Sequence, residues 1–427
     1  MVEYFLTNSL LGHFTRILKQ RSNRRGHVAQ QVLQTLSILL QNVRSQQTVY
    51  YLFSNNHINE IVTMQFDWED DEVLGYFINL LKAVSLRLDE NTVQFFFFAA
   101  SNGQPATFPL YSEAVKFVNH RDSMVRAAVK TLTLNVYAIR SPQVCAFVTS
   151  YPPAAYFADL ATYVCEQCLG LDRLLGSWDE AAGPSASAVG AVETCLAEIE
   201  DTFSYFSDVL DVGQPLLQDL LLDHLWRRVL GPVLFWPLIQ EDVGLASLAP
   251  SSAPQRVRPG LVGPLCSLYV LERVFFAVVD PFFLGTLVAA LLGDEEMSGI
   301  VGEKPGGIEG GKDASAENAF RASDPPGSAL APPRLPRVPA SRLEALQYRP
   351  VAFRRAFLGM LRGSDAQLGV AAVRVVAALM RSKALEEDLL DAVGLLPRRR
   401  RTQRELLEAL VREEGSLRLE ERAGGEE

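Results

Sequence analysis

The sequence predicts an all-α protein, an irregular helical solenoid of the armadillo or HEAT kind with a disordered linker before a short C-terminal helical segment. Three observations predict it. Apolar residues recur at three- and four-residue steps through most of the chain, brief polar turns separate these runs, and β alternation is scarce. Each run carries an apolar face too wide to stand alone in water, so neighbouring helices must stack. Helix length and period are irregular, and no self-similarity is strong enough to name a repeat.

The stretch from Tyr50 to Phe98 organises the rest. Val73, Leu74, Phe77, Leu80, Leu81, Val84 and Leu88 share one helical face. Glu69, Asp70, Asp71 and Glu72 stand where that helix starts, where carboxylates accept bonds from first-turn amides and meet the positive end of the helix dipole. This acidic set lacks the alternating oxygen ligands of a calcium loop. Phe95 to Phe98, after a helix and before a loop, reads as a buried helical turn.

Upstream, Tyr4 to Leu18 is amphipathic, the basic segment Lys19 to Arg25 breaks the pattern, and Val28 to Val43 forms a second helix. Downstream of a Gly/Pro break at 102–109 comes a helix pair, Leu110 to Val118 and Ser123 to Ile139, with Asp122 or Ser123 as the N-cap of the second. A helix from Ala155 to about Leu175, a long helix through Leu196, Phe203 and Leu210, and one from Leu216 to Leu230 follow, with Pro232, Pro237 and the segment 250–264 as interruptions. Leu265 to Leu292 is strongly apolar. Glu272 and Arg273 near its start and Asp280-Pro281 in its middle cut it into two pieces, each too short to cross about 30 Å of hydrocarbon.

The expected domains are thus 1–150, a continuing solenoid at 151–293, a Gly/Pro-rich disordered linker at 294–340, a helical region at 341–414 and an acidic tail at 415–427. In the helical region, Phe353 to Leu361, Leu368 to Leu379 and Leu389 to Leu396 read as helices, and Arg398 to Arg401 open a last one, Thr402 to Val411.

Composition limits the function. The 427 residues are 48% hydrophobic and 21% charged, with a net charge of -10, which argues against a nucleic-acid binder. Five cysteines are scattered over the chain and no signal peptide opens it, so the thiols are expected to be reduced in the cytosol. Cys165 and Cys168 have CxxC spacing, but no second ligand pair matches it, so two thiols on a helix are preferred to a metal site. Gly306-Gly307 and Gly310-Gly311 lie in low-complexity sequence rather than between a strand and a helix, which disfavours a phosphate cradle. No catalytic residue, cofactor or metal is proposed.

Several stretches resemble a known family. YYLFSNNHINEIVTMQFDW, DEVLGYFINLLKAVSLRL with NTVQFFF, and LYSEAVKFVNHRDSMVRAAVKTLTLNVY are similar to the FPL domain of the animal Ema / C-type-lectin-family-16A proteins and the plant Transparent Testa Nine (Green Fluorescent Seed) proteins. VEYFLTNSLLGHFTRILKQ resembles the start of that domain, and IEDTFSYFSDVLDVG, LLLDHLWRRVLGPVL and SLYVLERVFF extend the resemblance to about residue 290. LLDAVGLLPRRR resembles the plant branch in particular. The chain starts inside the domain, as expected of a truncated gene model or an alternative start. The linker carries no family pattern.

What the resemblance implies is a non-enzymatic scaffold in Golgi and endosome to vacuole or lysosome traffic and autophagy, held peripherally on the cytosolic face of those membranes. It implies vacuolar or lysosomal tethering-complex subunits and Rab-type GTPases as partners, with a ubiquitin-ligase component as the alternative. It brings no sugar-binding domain and no catalytic residues. The candidate partner-binding residues are the turn Ser54, Asn55, Asn56 and His57, and the turn Asn119, His120, Arg121, Asp122 and Ser123 with Arg126. Each has a structural alternative, because Asn and Ser cap helices and Arg126 can pair with Asp122 one turn earlier. Arg398, Arg399, Arg400 and Arg401 are a separate candidate for docking on anionic lipid or an acidic partner, or simply a solvated helix start.

Overall fold

The structure is a computed structural model describing residues 10–101, 103–177, 185–239, 261–293, 350–396 and 406–407. It divides into two compact units, Met1–Val233 and Leu234–Glu427. Among the described residues regular structure is helical throughout, apart from two isolated β-bridges. The all-α class and the stacking of short helices expected of a solenoid are both present.

The first unit opens with α1 (Leu10–Lys19), α2 (Gly26–Asn42), α3 (Gln46–Ser54), α4 (His57–Val62) and α5 (Asp71–Ser85). It continues with α6 (Pro109–Ala114), α7 (Ser123–Tyr137), α8 (Pro142–Val148), α9 (Ala155–Gly176), α10 (Ala186–Asp211) and α11 (Pro215–Leu225). Packing runs in two lines. One joins α2 to α5, α5 to α7 and α7 to α10; the other joins α1 to α4, α4 to α6 and α6 to α7. Each line advances in chain order while skipping up to two helices, so the helices bury one another's apolar faces layer upon layer, as a stacked array requires.

The organising stretch behaves as its pattern predicts. Asp70 caps α5, accepting from the amides of Glu72 at 3.1 Å and Val73 at 3.2 Å. Its other oxygen accepts from the Gly26 amide at 3.3 Å, so one carboxylate ties the starts of α2 and α5. Gly26 has φ of +59°, a left-handed conformation that a Cβ disfavours. The motif aromatics cluster: half-buried Trp68 lies 4.8 Å from the buried Phe77 ring and 5.3 Å from half-buried Phe117.

Two expectations are corrected. The run Phe95 to Phe98 is not a helical turn throughout. Val93–Phe95 is a 3-10 turn and Phe96 is fully buried, but Phe98 is exposed and pairs its backbone with Thr107 in both directions at 2.9 Å. Gly103, with φ of +77°, reverses the chain between them, so those backbone groups find partners across a loop rather than along a helix. Similarly, Pro232 does not interrupt the helix; it lies inside a π-helical segment, Trp226–Phe235, that continues from α11. Proline has no amide hydrogen to donate to the α ladder, and a widened turn accommodates it.

The second unit contains α12 (Pro264–Ala277), α13 (Pro281–Leu292), α14 (Pro350–Arg362), α15 (Ala366–Arg381) and α16 (Glu387–Ala392). The apolar stretch 265–292 is two helices meeting at Asp280-Pro281, where Asp280 caps α13 by accepting from the Phe283 amide at 2.6 Å. Every residue from Phe283 to Leu292 is buried. Helix α12 packs on α15, α13 on α14, and α14 on α15; the Phe235 and Phe353 rings lie 5.3 Å apart. The expected linker at 294–340, the run Arg398 to Arg401 and most of the last expected helix lie outside the described residues; Leu406 and Leu407 are helical.

Candidate partner-binding surface

The turn at 54–57 joins α3 to α4. Ser54, Asn55 and Asn56 are exposed and His57 is half-buried. Asn56 adopts φ of +57°, a conformation that asparagine tolerates better than other side chains with a Cβ, and its Oδ1 accepts from Asn59 Nδ2 at 3.0 Å. Asn59 also donates to the Phe95 carbonyl at 2.6 Å, which ties the turn to the loop after α5. Ser54 donates to the Tyr51 carbonyl at 3.1 Å, closing the end of α3. The His57 ring lies under α1, where a Cβ on Gly12 would meet its Nε2 at 3.4 Å.

The turn at 119–123 joins the 3-10 turn Val115–Phe117 to α7. Asn119, Arg121, Asp122 and Ser123 are exposed, and His120 is half-buried. Asp122 is the N-cap, accepting from the Met124 amide at 2.8 Å. Its own amide donates to His120 Nδ1 at 3.1 Å. Arg121 reaches the start of α5, donating to both oxygens of Asp71 at 2.7 Å. The structure therefore sets a charged, hydrogen-bonded turn over the N-terminus of α5. Among the described residues no hydrogen bond or ion pair joins this turn to the one at 54–57.

Arg126 differs from the other candidates. It is buried at 8% exposure, and its side chain does not pair with Asp122. Instead it spans to α10, meeting Glu198 at 2.6 Å, while its other nitrogen donates to the His120 carbonyl at 2.8 Å and the Arg121 carbonyl at 3.0 Å. Its guanidinium carbon lies 5.3 Å from the Tyr163 ring centre, and the Tyr163 hydroxyl donates to the same Glu198 oxygen at 3.1 Å. One turn on, Lys130 pairs with Asp201 at 2.6 Å and meets Thr202 at 3.1 Å. The basic residues of the HRDSMVRAAVKTL stretch thus fasten α7 to α10. Glu198 and Asp201, 72 and 71 residues further along, were not legible as their partners because nothing local in the sequence links them.

Behind these pairs lies a buried hydroxyl cluster. Tyr111 and Tyr137 meet at 3.0 Å, Tyr156 and Tyr205 at 3.1 Å, and Thr133 and Tyr205 at 2.7 Å. Burial pushes all four phenols up, Tyr156 to about 12. Gln214 donates to the Tyr137 carbonyl, tying the loop before α11 to the end of α7. The thiols at Cys145, Cys165 and Cys195 are likewise pushed up by burial, the opposite of what an activated nucleophile needs. Cys168 is fully buried, and among the described residues no group of three His, Cys, Asp or Glu side chains is gathered as a metal ligand set.

Two concave features stand out among the described residues of this unit. An open cleft of about 550 Å³ is lined by Phe97, Pro105, Phe147, Tyr151 and Pro153 among others, and a shallow depression between α9 and α10 by Gln167, Arg173, Thr194, Cys195 and Glu198. In the depression Cys195 stands near Glu198, but burial and the Glu198 charge both raise the thiol's pKa and so disfavour the thiolate. Among the described residues no single helix is long and apolar enough to cross a membrane.

Comparison with known proteins agrees with the motifs. Residues 1–137 match the FPL family, described as an uncharacterised conserved protein. The chain is 31% identical to TRANSPARENT TESTA 9 of Arabidopsis thaliana over 431 aligned residues, covering 96% of this chain and 48% of that protein. It is 37% identical to the CLEC16A homolog of Drosophila melanogaster over 55% of this chain and 21% of that protein. To CLEC16A of Homo sapiens it is 33% identical over 68% of this chain and 26% of that protein. The chain therefore spans about half the length of the plant relative and about a quarter of the human one. The motifs, the family match over residues 1–137 and these alignments agree: the chain carries an FPL-family match and is similar to TRANSPARENT TESTA 9 and the CLEC16A proteins.

Proposed function

We propose that the chain is a non-enzymatic scaffold of membrane traffic, working peripherally on the cytosolic face of Golgi and endosomal membranes on the route to the vacuole or lysosome. The observation that carries this reading is the way the first unit holds its turn at 119–123. Arg126 fixes the turn's carbonyls from below, Arg121 fixes it to α5 from the side, and Asn119, Asp122 and Ser123 stay exposed. A rigid array that spends its buried charges on positioning an exposed polar turn is suited to presenting a docking surface. The resemblance to the FPL-domain proteins supports the trafficking context, and vacuolar or lysosomal tethering subunits and Rab-type GTPases are the partners proposed.

Fractionation of cells expressing the tagged chain tests the membrane half of this reading. The chain should sediment with Golgi and endosomal membranes and be released by alkaline carbonate, as a peripheral protein is. Recovery wholly in the soluble fraction under gentle lysis would remove the membrane role.

A further inference from the structure

Helix α15 is apolar on two sides. Ala371, Ala372, Val375, Ala378 and Leu379 are buried and pack on α12 and α14. On the opposite side Val370 is 62% exposed, Val373 58% and Met380 49%, with Ala366 exposed and Ala377 half-buried in the same row. These five recur at three- and four-residue steps, so they form one aliphatic strip about 21 Å long at 1.5 Å per residue. Single exposed aliphatic residues are ordinary on a protein surface; a continuous row of them is not.

Charge tells what covers the strip. The chain as a whole is at -10, yet from 350 to 383 the basic residues Arg354, Arg355, Arg362, Arg374, Arg381 and Lys383 face a single acidic one, Asp365, before Glu386, Glu387 and Asp388 open the next helix. Asp365 is occupied as the N-cap of α15, accepting from the amides of Gln367 at 2.9 Å and Leu368 at 3.1 Å. Arg374 is held at one edge of the strip by Glu272 at 3.0 Å and by the Tyr269 ring, and Arg381 and Lys383 stand exposed at its end. Together, α14 and α15 are as apolar as a membrane span, but they are bent by 118° at the break between them, so they do not form one rod across a bilayer. An aliphatic face edged by cations on a helix that cannot span is the pattern of an element lying in the headgroup region.

We infer that the exposed face of α15, Val370, Val373 and Met380 with Arg381 and Lys383, docks on the surface of an anionic lipid bilayer. The valines and Met380 enter the acyl boundary while Arg381 and Lys383 meet headgroup phosphates and carboxylates. This rests on the peripheral membrane role proposed above and names the surface that performs it.

Co-sedimentation of the full chain with vesicles tests it, using phosphatidylcholine alone and phosphatidylcholine mixed with phosphatidylserine. The chain should partition onto the mixed vesicles and much less onto the neutral ones. The triple variant V370S/V373S/M380S changes only exposed side chains, so circular dichroism and melting should match the parent. Its partition should fall at least tenfold, because the three changes remove more than the two or so buried methylenes whose loss has that effect. The pair R381Q/K383Q should bind several-fold more weakly at low salt, with the difference closing at high salt. Unchanged partition of the triple variant overturns the inference. So does equal binding of the parent to neutral vesicles, or absence of vesicle binding. If changing Arg398 to Arg401 to Ser abolishes binding while the triple variant retains it, the lipid contact lies in that run and this face is excluded. Fractionation of the triple variant from cells separates the two readings: a variant that no longer binds vesicles yet remains on membranes keeps the scaffold role and sinks lipid docking by α15 as its basis.

Discussion

Replacing Arg126 with Met keeps the aliphatic bulk between α7 and α10 and deletes the charge. What remains is Glu198, whose side chain is 27% exposed, and two carbonyls of the 120–121 turn without their donor. Breaking a buried pair from one side costs about 3 to 5 kcal/mol. Glu198 keeps some access to water, and the turn carbonyls can be hydrated, so a loss of about 2 to 3 kcal/mol is expected here. Glu198→Gln should cost less, because a neutral amide still accepts from Arg126 and Tyr163. A double-mutant cycle read by urea unfolding of the full chain should give a coupling of about 1.5 kcal/mol or more, since the two groups touch. Hydrogen exchange adds a local readout: in Arg126→Met the amides of 119–124 should lose protection before those of α5. A variant within about 0.5 kcal/mol of the parent, with the turn equally protected, would refute the view that Arg126 positions the turn.

Three further outcomes follow from the same geometry. Asp70→Ala removes the cap of α5 and the bond to the Gly26 amide, and should cost about 1 to 2 kcal/mol in urea unfolding, with Asp70→Ser recovering part of it. The buried phenols have folded pKa values raised above the ordinary value of about 10, so their contribution is complete below that pH and lost as pH rises from about 10 toward 12, the value for Tyr156. Melting temperature should decline gently from about pH 9, where the raised thiols begin to titrate in the unfolded chain, and fall more steeply above about 10, less so in Tyr205→Phe. Burial and the Arg228 charge lower the pKa of half-buried His224, so its contribution is present above about 6.5 and lost as pH falls below it; His224→Gln should flatten the acid side of the stability profile.

The fold was legible because its signals are local. The three- and four-residue spacing through Val73 to Val84 places α5, the carboxylates before it supply the cap, and Asp280-Pro281 divides the apolar stretch where the chain does turn. What escaped is non-local. Arg126 has an aspartate four residues before it, which is the pairing a sequence offers, yet the helix stack brings Glu198 to it from 72 residues away. Phe98 lies in an apolar run that looks like core, but a loop reversal at Gly103 pairs its backbone with Thr107 and leaves the ring half outside. The strip on α15 was hidden for a similar reason: its valines match the core pattern, and only the packing of α12 and α14 determines which side is covered.

The function proposed for the chain rests on a docking surface for trafficking machinery. Affinity purification of the tagged full chain from its own cells under gentle lysis, with bound proteins identified by mass spectrometry, tests it most directly, alongside a variant with Asn119, Arg121 and Ser123 changed to Ala. Tethering-complex subunits or Rab-type GTPases should be recovered on the parent chain and reduced on the variant, whose melting temperature should stay near that of the parent. Recovery of ubiquitin-conjugating or RING proteins without tethers, equally on both chains, would contradict it.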